Sequence, residues 1–235
     1  MRYAIYFTPD AEDPLTAAAQ AWLGRNAWTG EPVDRAVPAG FTDAEFEQVT
    51  AAPRRYGFHA TLVAPFRLRD GIQEDDVMQA ARHLAQTCAP FAIPRLEVTR
   101  IGNFLALTPA MPCQEMDALA SSAVDHFNPL RAPLIQSDIE RRRPACLTPR
   151  QRSYIDRFGY PYVKDEFRFH MTLTSALEPD LARRIEPAIR AHFAPILDRP
   201  VPVEAVTVFI EPKPGGDFIV HSTHRFGSAQ PRKSA

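Results

Sequence analysis

The chain is short of cysteine, of glycine and of excess charge of either sign, and each shortage removes a class of explanation. There are three cysteines in 235 residues, Cys88, Cys113 and Cys146, odd in number and widely spaced. Neither a disulfide framework nor a zinc knuckle fits that pattern, and reduced thiols in a cytoplasm are the expectation. Long apolar runs are missing too: nothing approaches the ~18 residues that cross a bilayer. The first residues, MRYAIYFTPDAED, turn acidic at Asp10, Glu12 and Asp13 before any apolar stretch develops, so they do not read as a signal peptide. Lys and Arg total 27 against 28 Asp and Glu, for a formal net charge of −1. No overall basic field draws this chain to a long polyanion. Glycine numbers 10 and proline 23, proline being about twice its usual share of roughly 5%. The prolines are scattered, which reads as punctuation of loops and strand ends. What is present, 45% apolar and 23% charged residues, is the composition of a soluble globular protein and too apolar for disorder.

Hydrophobic periodicity and breaker residues divide the chain. A strand is expected over 2–8, a helix over 14–24 and a loop over 25–40. A helix follows over 42–51, opened by a Thr42/Glu45 capping box and ended by Pro53. Next come a strand over 58–66, an amphipathic helix over 74–87, strands over 91–101 and 103–108 joined at Gly102, and a helix over 112–127. Residues 128–166 are irregular, with a basic run at Arg141–Arg143 and one helix over 148–158. A strand over 167–174, a helix over 179–193, strands over 203–212 and 217–226, and a loose tail over 227–235 complete the chain. A strand, helix, strand, strand unit thus occurs twice, led by the strands at 58 and 167.

The two leading strands carry the same words. Phe58-His59-Ala60-Thr61-Leu62 and Phe169-His170-Met171-Thr172-Leu173 lie 111 residues apart, each at the head of its unit. A histidine followed by x-[Ser/Thr]-aliphatic arises by chance at about 2%, and the chain has seven histidines. In a strand, residues i and i+2 share a face. His59 and Thr61 therefore point one way while Phe58, Ala60 and Leu62 point to the core, and the second copy repeats this. His221-Ser222-Thr223 also reads His-x-Thr, but His224 and Arg225 follow and it occupies a late strand, so it reads as a chance match.

Two imidazoles facing one cleft suit general acid–base chemistry. With an ordinary pKa of about 6.5, one can accept a proton from a water or hydroxyl while the other, protonated, gives one to a leaving oxygen. Threonine hydroxyls two residues on can donate to the non-bridging oxygens of a phosphate held between them. This arrangement needs no metal, no cofactor and no protein nucleophile. The bland reading of each threonine is a β-former on a half-buried strand.

With these motifs the sequence resembles the 2H phosphoesterase superfamily, named for two H-x-[T/S]-hydrophobic motifs on a bilobal, pseudo-symmetric fold. It includes cyclic phosphodiesterases and proteins similar to bacterial 2′,5′-RNA ligase. RRYGFHATLVAPF and RFGYPYVKDEFRFHMTLTSAL further resemble a subgroup of about this length associated with phosphonate-metabolism operons. The resemblance covers nearly the whole chain. It implies His59 and His170 as catalytic residues, Thr61 and Thr172 as phosphate-binding ones, and a phosphoribosyl cyclic phosphate opened to a ribose bisphosphate as a plausible reaction. The chain departs from the subgroup at Val63, where a lysine is expected after HATL; by alternation Val63 faces the cleft.

Strand parity supplies other cations. Arg168, two before His170, shares the cleft face, and Arg55, four before His59, does so if the strand starts that early; Arg54 is its neighbour. Tyr56, by parity with Phe58, reads first as core and second as a substrate contact. Tyr154, Tyr160 and Tyr162 pack the irregular segment or stack on a ligand ring. The Arg141–Arg143 run is a solvated face or the lining of a lid. His221 and His224 lack acidic or cysteine companions in sequence, so a metal site is not expected.

The fold expected is α+β: a single domain over 1–235 of two intertwined lobes, pseudo-two-fold, its two antiparallel sheets backed by outer helices and forming a central cleft. The function expected is a metal-independent phosphodiesterase acting on a small cyclic phosphate, in the cytoplasm and as a monomer, with a small phosphorylated metabolite as partner and no membrane. RNA-end processing, as a 2′,3′-cyclic phosphodiesterase or 2′,5′-RNA ligase-like enzyme on a short RNA end, is the alternative within enzymes. A non-catalytic nucleotide- or RNA-binding module is the alternative outside them.

Overall fold

The computed structural model describes residues 1–142 and 147–227. Arg143 of the basic run, Cys146 and residues 228–235 of the expected tail lie outside the described residues. The strands, in chain order, are β1 (Arg2–Phe7), β2 (Ala60–Phe66), β3 (Phe91–Ile93), β4 (Leu96–Ile101), β5 (Phe104–Pro109), β6 (Met171–Thr172), β7 (Val201–Val203), β8 (Ala205–Glu211) and β9 (Ile219–Arg225). The helices are α1 (Pro14–Leu23), α2 (Asp43–Tyr56), α3 (Glu74–Thr87), α4 (Gln114–Phe127), α5 (Gln136–Arg142), α6 (Pro149–Phe158) and α7 (Pro179–Leu197).

Seven strands form one antiparallel sheet in the order β4-β5-β6-β2-β1-β8-β9, and β3 pairs with β7 in a second, two-stranded sheet. The α+β class is as expected. The two halves of the large sheet meet at a narrow seam, where β2 and β6 share the single pair Ala60–Met171. The repeated units β2-α3-β3-β4-β5 and β6-α7-β7-β8-β9 exchange hairpins across that seam. Hairpin β4–β5 of the first unit pairs with β6, which leads the second. Hairpin β8–β9 of the second unit pairs through β1 with β2, which leads the first.

Alternation in β1 divides the core. Tyr3, Ile5 and Phe7 pack on the main cluster with residues of α1, α2, α3, α4 and α7, while Ala4 and Tyr6 join Ala27, Phe209 and Phe218 in a smaller cluster. Trp22 of α1 is fully buried against Phe46 (ring centroids 4.8 Å apart), and its indole N–H donates to the Leu173 carbonyl at 3.0 Å, tying α1 to the end of β6. Burying such a ring contributes about 2–3 kcal/mol.

Several boundaries differ from expectation for local reasons. Helix α2 passes Pro53 and ends at Tyr56. Proline offers no N–H to the carbonyl of Val49, and that carbonyl instead accepts from the Ser175 N–H at 2.6 Å. The Ser175 hydroxyl donates to the Gln48 carbonyl (3.0 Å) and accepts from the Ala52 N–H (3.1 Å), completing the repair. The strand expected over 167–174 is reduced to Met171–Thr172. The N–H groups of Leu173 and Thr174 converge on one carbonyl, that of Leu105, at 2.9 and 3.3 Å, which ends the ladder in a bulge. Pro94 splits the strand expected over 91–101 into β3 and β4, which join different sheets. Helix α5 forms within the segment expected to be irregular, and α7 continues through Pro195 to Leu197. No described helix is long and apolar enough to cross a membrane.

Candidate active site at the β2–β6 seam

The seam places the two motifs side by side. The antiparallel pair Ala60–Met171 is the point about which they are related. Carrying that register one residue either way sets His59 across from Thr172 and His170 across from Thr61, at the ~5 Å typical of facing residues. Both histidines stand just before their strands, one residue ahead of Ala60 and Met171.

Gly57 fixes the first of them. It takes φ +76° between α2 and β2, and a Cβ there would meet the Ala27 Cβ at 2.5 Å, so glycine is required on both counts. Its carbonyl lies 2.9 Å from His59 Nδ1, which must therefore carry the proton. Nε2 is then a lone-pair acceptor, 3.2 Å from the Thr61 hydroxyl. The ring lies stacked on Tyr6, 3.7 Å between centroids and 22° between planes, with Tyr56 and Phe209 each at 6.2 Å. Burial in this aromatic slot pushes the His59 pKa down to about 4; the hydrogen bond to Gly57 opposes the shift and the nearby charge of His170 adds to it. His170 is held the same way, with Nδ1 2.8 Å from the Arg168 carbonyl and Phe104 at 5.8 Å. Burial lowers its pKa as well, opposed by the Arg168 carbonyl. Both rings thus anchor Nδ1 to backbone two residues upstream and present Nε2.

His170 and Thr61 open onto a cavity of about 350 Å³, walled also by Ile101, Phe104, Gln151, Tyr160, Tyr162, Glu166, Phe167 and Arg168. Tyr160 and Tyr162, expected either to pack the irregular segment or to stack on a ligand, meet edge to face at 5.7 Å in this wall. Tyr154 has a different role, its hydroxyl donating to Asp165 at 2.5 Å. His59 does not line the cavity and reaches it through Thr61.

Of the proposed cations, Arg168 lines the cavity, is exposed and makes no ion pair among the described residues. Arg55 does not lie where an early strand start would have placed it, because it and its neighbour Arg54 are both on helix α2. Arg54 pairs with Glu47 at 2.9 Å. Arg55 pairs with Glu211 and donates to the Gly216 carbonyl at 3.0 Å. Tyr56, also helical, stacks on Phe218 at 5.1 Å and reaches the site only as part of the wall around His59. Val63 does not face the cleft. The register pairs Tyr6 with Thr61 but Ile5 with Val63, leaving Leu62 as the extra residue of a bulge. That bulge reverses the alternation and sends Val63 into the main core. His221 sits 3.3 Å from Glu74 and His224 3.0 Å from Ser222, both on the outermost strand β9.

Tyr6, Phe104 and Glu166 were not singled out by sequence reasoning. Glu166 had a usable signal: with Arg168 and His170 it continues the i, i+2, i+4 stripe. Tyr6 and Phe104 had none, since their positions depend on which strands pair.

Residues 61–219, more than half of the chain, match the family described as a protein of unknown function, DUF1045. Two curated relatives are both called ribose 1,5-bisphosphate phosphokinase PhnN. The one from Janthinobacterium sp. (strain Marseille) is 39% identical over 222 residues, covering 93% of this chain and 49% of its own length. The one from Laribacter hongkongensis (strain HLHK9) is 37% identical over 219 residues, covering 93% and 50%. The chain therefore spans about half the length of these relatives. Among solved structures, TT0787 of Thermus thermophilus aligns with TM-score 0.44 and 19% identity over 98% of this chain and 100% of its own. A protein titled phosphoesterase aligns with TM-score 0.44 and 9% identity over 97% and 98%. On the match over residues 61–219, the chain belongs to the DUF1045 family.

Proposed function

We propose that this protein is a phosphodiesterase that hydrolyses a small cyclic phosphate by acid–base catalysis between His59 and His170. The observation that carries the reading is the seam itself: two imidazoles, each with Nδ1 committed to a backbone carbonyl, present Nε2 on facing strands, and each lies opposite the other motif's threonine. His59, kept neutral by its aromatic slot, takes a proton from water as the water oxygen bonds to phosphorus. His170 in its protonated form gives a proton to the sugar oxygen as the P–O bond to it breaks. With the phosphate bound, the Thr61 hydroxyl turns from His59 Nε2 to a non-bridging oxygen, which frees Nε2 for the water. Thr172 donates to the non-bridging oxygens as well, and Arg168 supplies positive charge at the cavity. The reaction as written uses neither metal nor cofactor.

The names of the relatives support a specific substrate. Hydrolysis of 5-phosphoribosyl 1,2-cyclic phosphate at the bond to O2 yields ribose 1,5-bisphosphate, the compound in their printed name. This chain has lysines only at 164, 213 and 233, none following a glycine, so it contains no Gly-x4-Gly-Lys phosphate-binding loop. We assign the kinase step to the part of the relatives that this chain does not span, and the step that feeds it to the part that it does. The aromatic wall of Phe104, Tyr160 and Tyr162 favours one second reading, a nucleoside 2′,3′-cyclic phosphate at an RNA end.

Hydrolysis rates on 5-phosphoribosyl 1,2-cyclic phosphate, a 2′,3′-cyclic mononucleotide and an RNA with a cyclic end separate the two. The first is expected to be strongly preferred. Preference for the RNA would overturn the substrate, and binding of all three without turnover would identify a binding module instead.

A further inference from the structure

The cavity beside His170 contains a charge that phosphate chemistry does not call for. Glu166 lines it and makes no ion pair among the described residues, although Arg168 lines the same cavity two residues away. A bare carboxylate facing a ligand with two phosphates costs free energy through like-charge repulsion, unless the ligand presents a hydrogen-bond donor to it.

The carboxylate is held there by a built support. Lys164, the only non-glycine residue with positive φ (+57°) among those described, starts the short turn Lys164–Glu166. Its ammonium is clamped by α4, donating to the Ser121 carbonyl (2.8 Å) and pairing with Asp125 (2.6 Å). Asp165 is gripped by α6, accepting from the Tyr154 hydroxyl and pairing with Arg150 at 2.6 Å. Glu166 itself accepts from the Gln151 amide N–H at 2.9 Å through Oε2, which leaves Oε1 for a ligand. A strained backbone position fixed by two helices, α4 and α6, is the pattern of a functional segment. From Glu166 the chain runs through Arg168 to His170, all three on the cavity wall. Four residues span at most about 13 Å, so Glu166 and His170 are close enough to touch one small ligand in the cavity they both line.

Resting on the substrate reading above, we infer that Glu166 is a specificity-determining residue that accepts a hydrogen bond from the ring hydroxyl of the bound ribose. In 5-phosphoribosyl 1,2-cyclic phosphate the oxygens at C1 and C2 are in the cyclic phosphate, that at C4 is in the ring and that at C5 carries phosphate. The C3 hydroxyl is the one free donor. The aromatic rings around it cover the apolar face of the sugar, and Arg168 is left for the phosphate at C5.

The test measures kcat/KM for that substrate and for its 3-deoxy analogue, with the parent protein, Glu166→Gln and Glu166→Ala. A hydrogen bond to a charged acceptor predicts that the parent prefers the hydroxylated substrate roughly 10- to 100-fold. Glu166→Ala should erase the preference by losing rate on the hydroxylated substrate alone, and Glu166→Gln should retain part of it. The deoxy analogue controls for damage to the fold: equal losses on both substrates would make Glu166 structural and overturn the inference. So would a Glu166 effect confined to guanosine 2′,3′-cyclic phosphate, which would assign the carboxylate to a base edge. Absence of turnover of either ribosyl substrate by the parent would overturn the hydrolase reading itself, and this assignment with it.

Discussion

The aromatic slot around His59 makes the stability of the whole protein depend on pH in a way that one substitution removes. The imidazole titrates near pH 6.5 in an unfolded chain and at about 4 when folded against Tyr6. Between those values the unfolded state binds a proton that the folded state does not, so stability is full above about pH 6.5 and falls as the pH drops toward 4. Each pH unit in that window costs about 1.4 kcal/mol. From about pH 7 to about pH 5 the loss approaches 2 kcal/mol, and lies between about 1 and 2 kcal/mol once partial solvent access to the ring is counted. The assay is urea unfolding of the parent and of His59→Gln at both pH values. Other carboxylates and histidines titrate in both proteins and cancel in the difference, apart from the charge of His170, which acts on His59. The parent should lose about 1–2 kcal/mol more than the variant. Equal losses would show that His59 titrates normally and that the slot does not keep it neutral, and the assignment of His59 as the base would fall.

Two further outcomes follow from the same geometry. Gly57→Ala should destabilise the protein by about 2 kcal/mol or more, because it combines a positive φ with a 2.5 Å clash on Ala27; thermal unfolding measures this, and a change under about 0.5 kcal/mol would contradict it. Arg168→Ala should raise KM by about tenfold or more with a smaller effect on stability, since the side chain is exposed and makes no ion pair among the described residues; steady-state kinetics with a parallel melt checks both.

What the sequence made legible was whatever depends on near neighbours in the chain. The period-two pattern of His59/Thr61 and His170/Thr172, the Thr42 capping box and the amphipathic 74–87 helix all rest on spacings of two to four residues. What it hid depends on a distant partner. Pro53 reads as a helix stop until Ser175, more than a hundred residues away, takes up the carbonyl it orphans. Arg55 and Tyr56 then move from an imagined strand onto a helix. Val63 reads as cleft-facing until its register with Ile5 shows the bulge at Leu62. Tyr6 looks like any strand tyrosine, and only the pairing of β1 beside β2 puts it beneath His59. The fold class was legible because the order of elements within each half is local, although each half gained one short strand, β3 or β7; the exchange of hairpins across the seam is a matter of pairing, which spacing does not encode.

The central claim is that two histidines on facing strands divide one proton-transfer reaction between them. Its most direct test is the rate of 5-phosphoribosyl 1,2-cyclic phosphate hydrolysis by His59→Ala and His170→Ala, each checked for an unchanged circular dichroism spectrum. Each folded variant should lose about 10²- to 10⁴-fold in kcat, and the double variant little more than the worse single one, because the two act as a unit. A folded variant of either histidine that retains the parent rate would contradict the account.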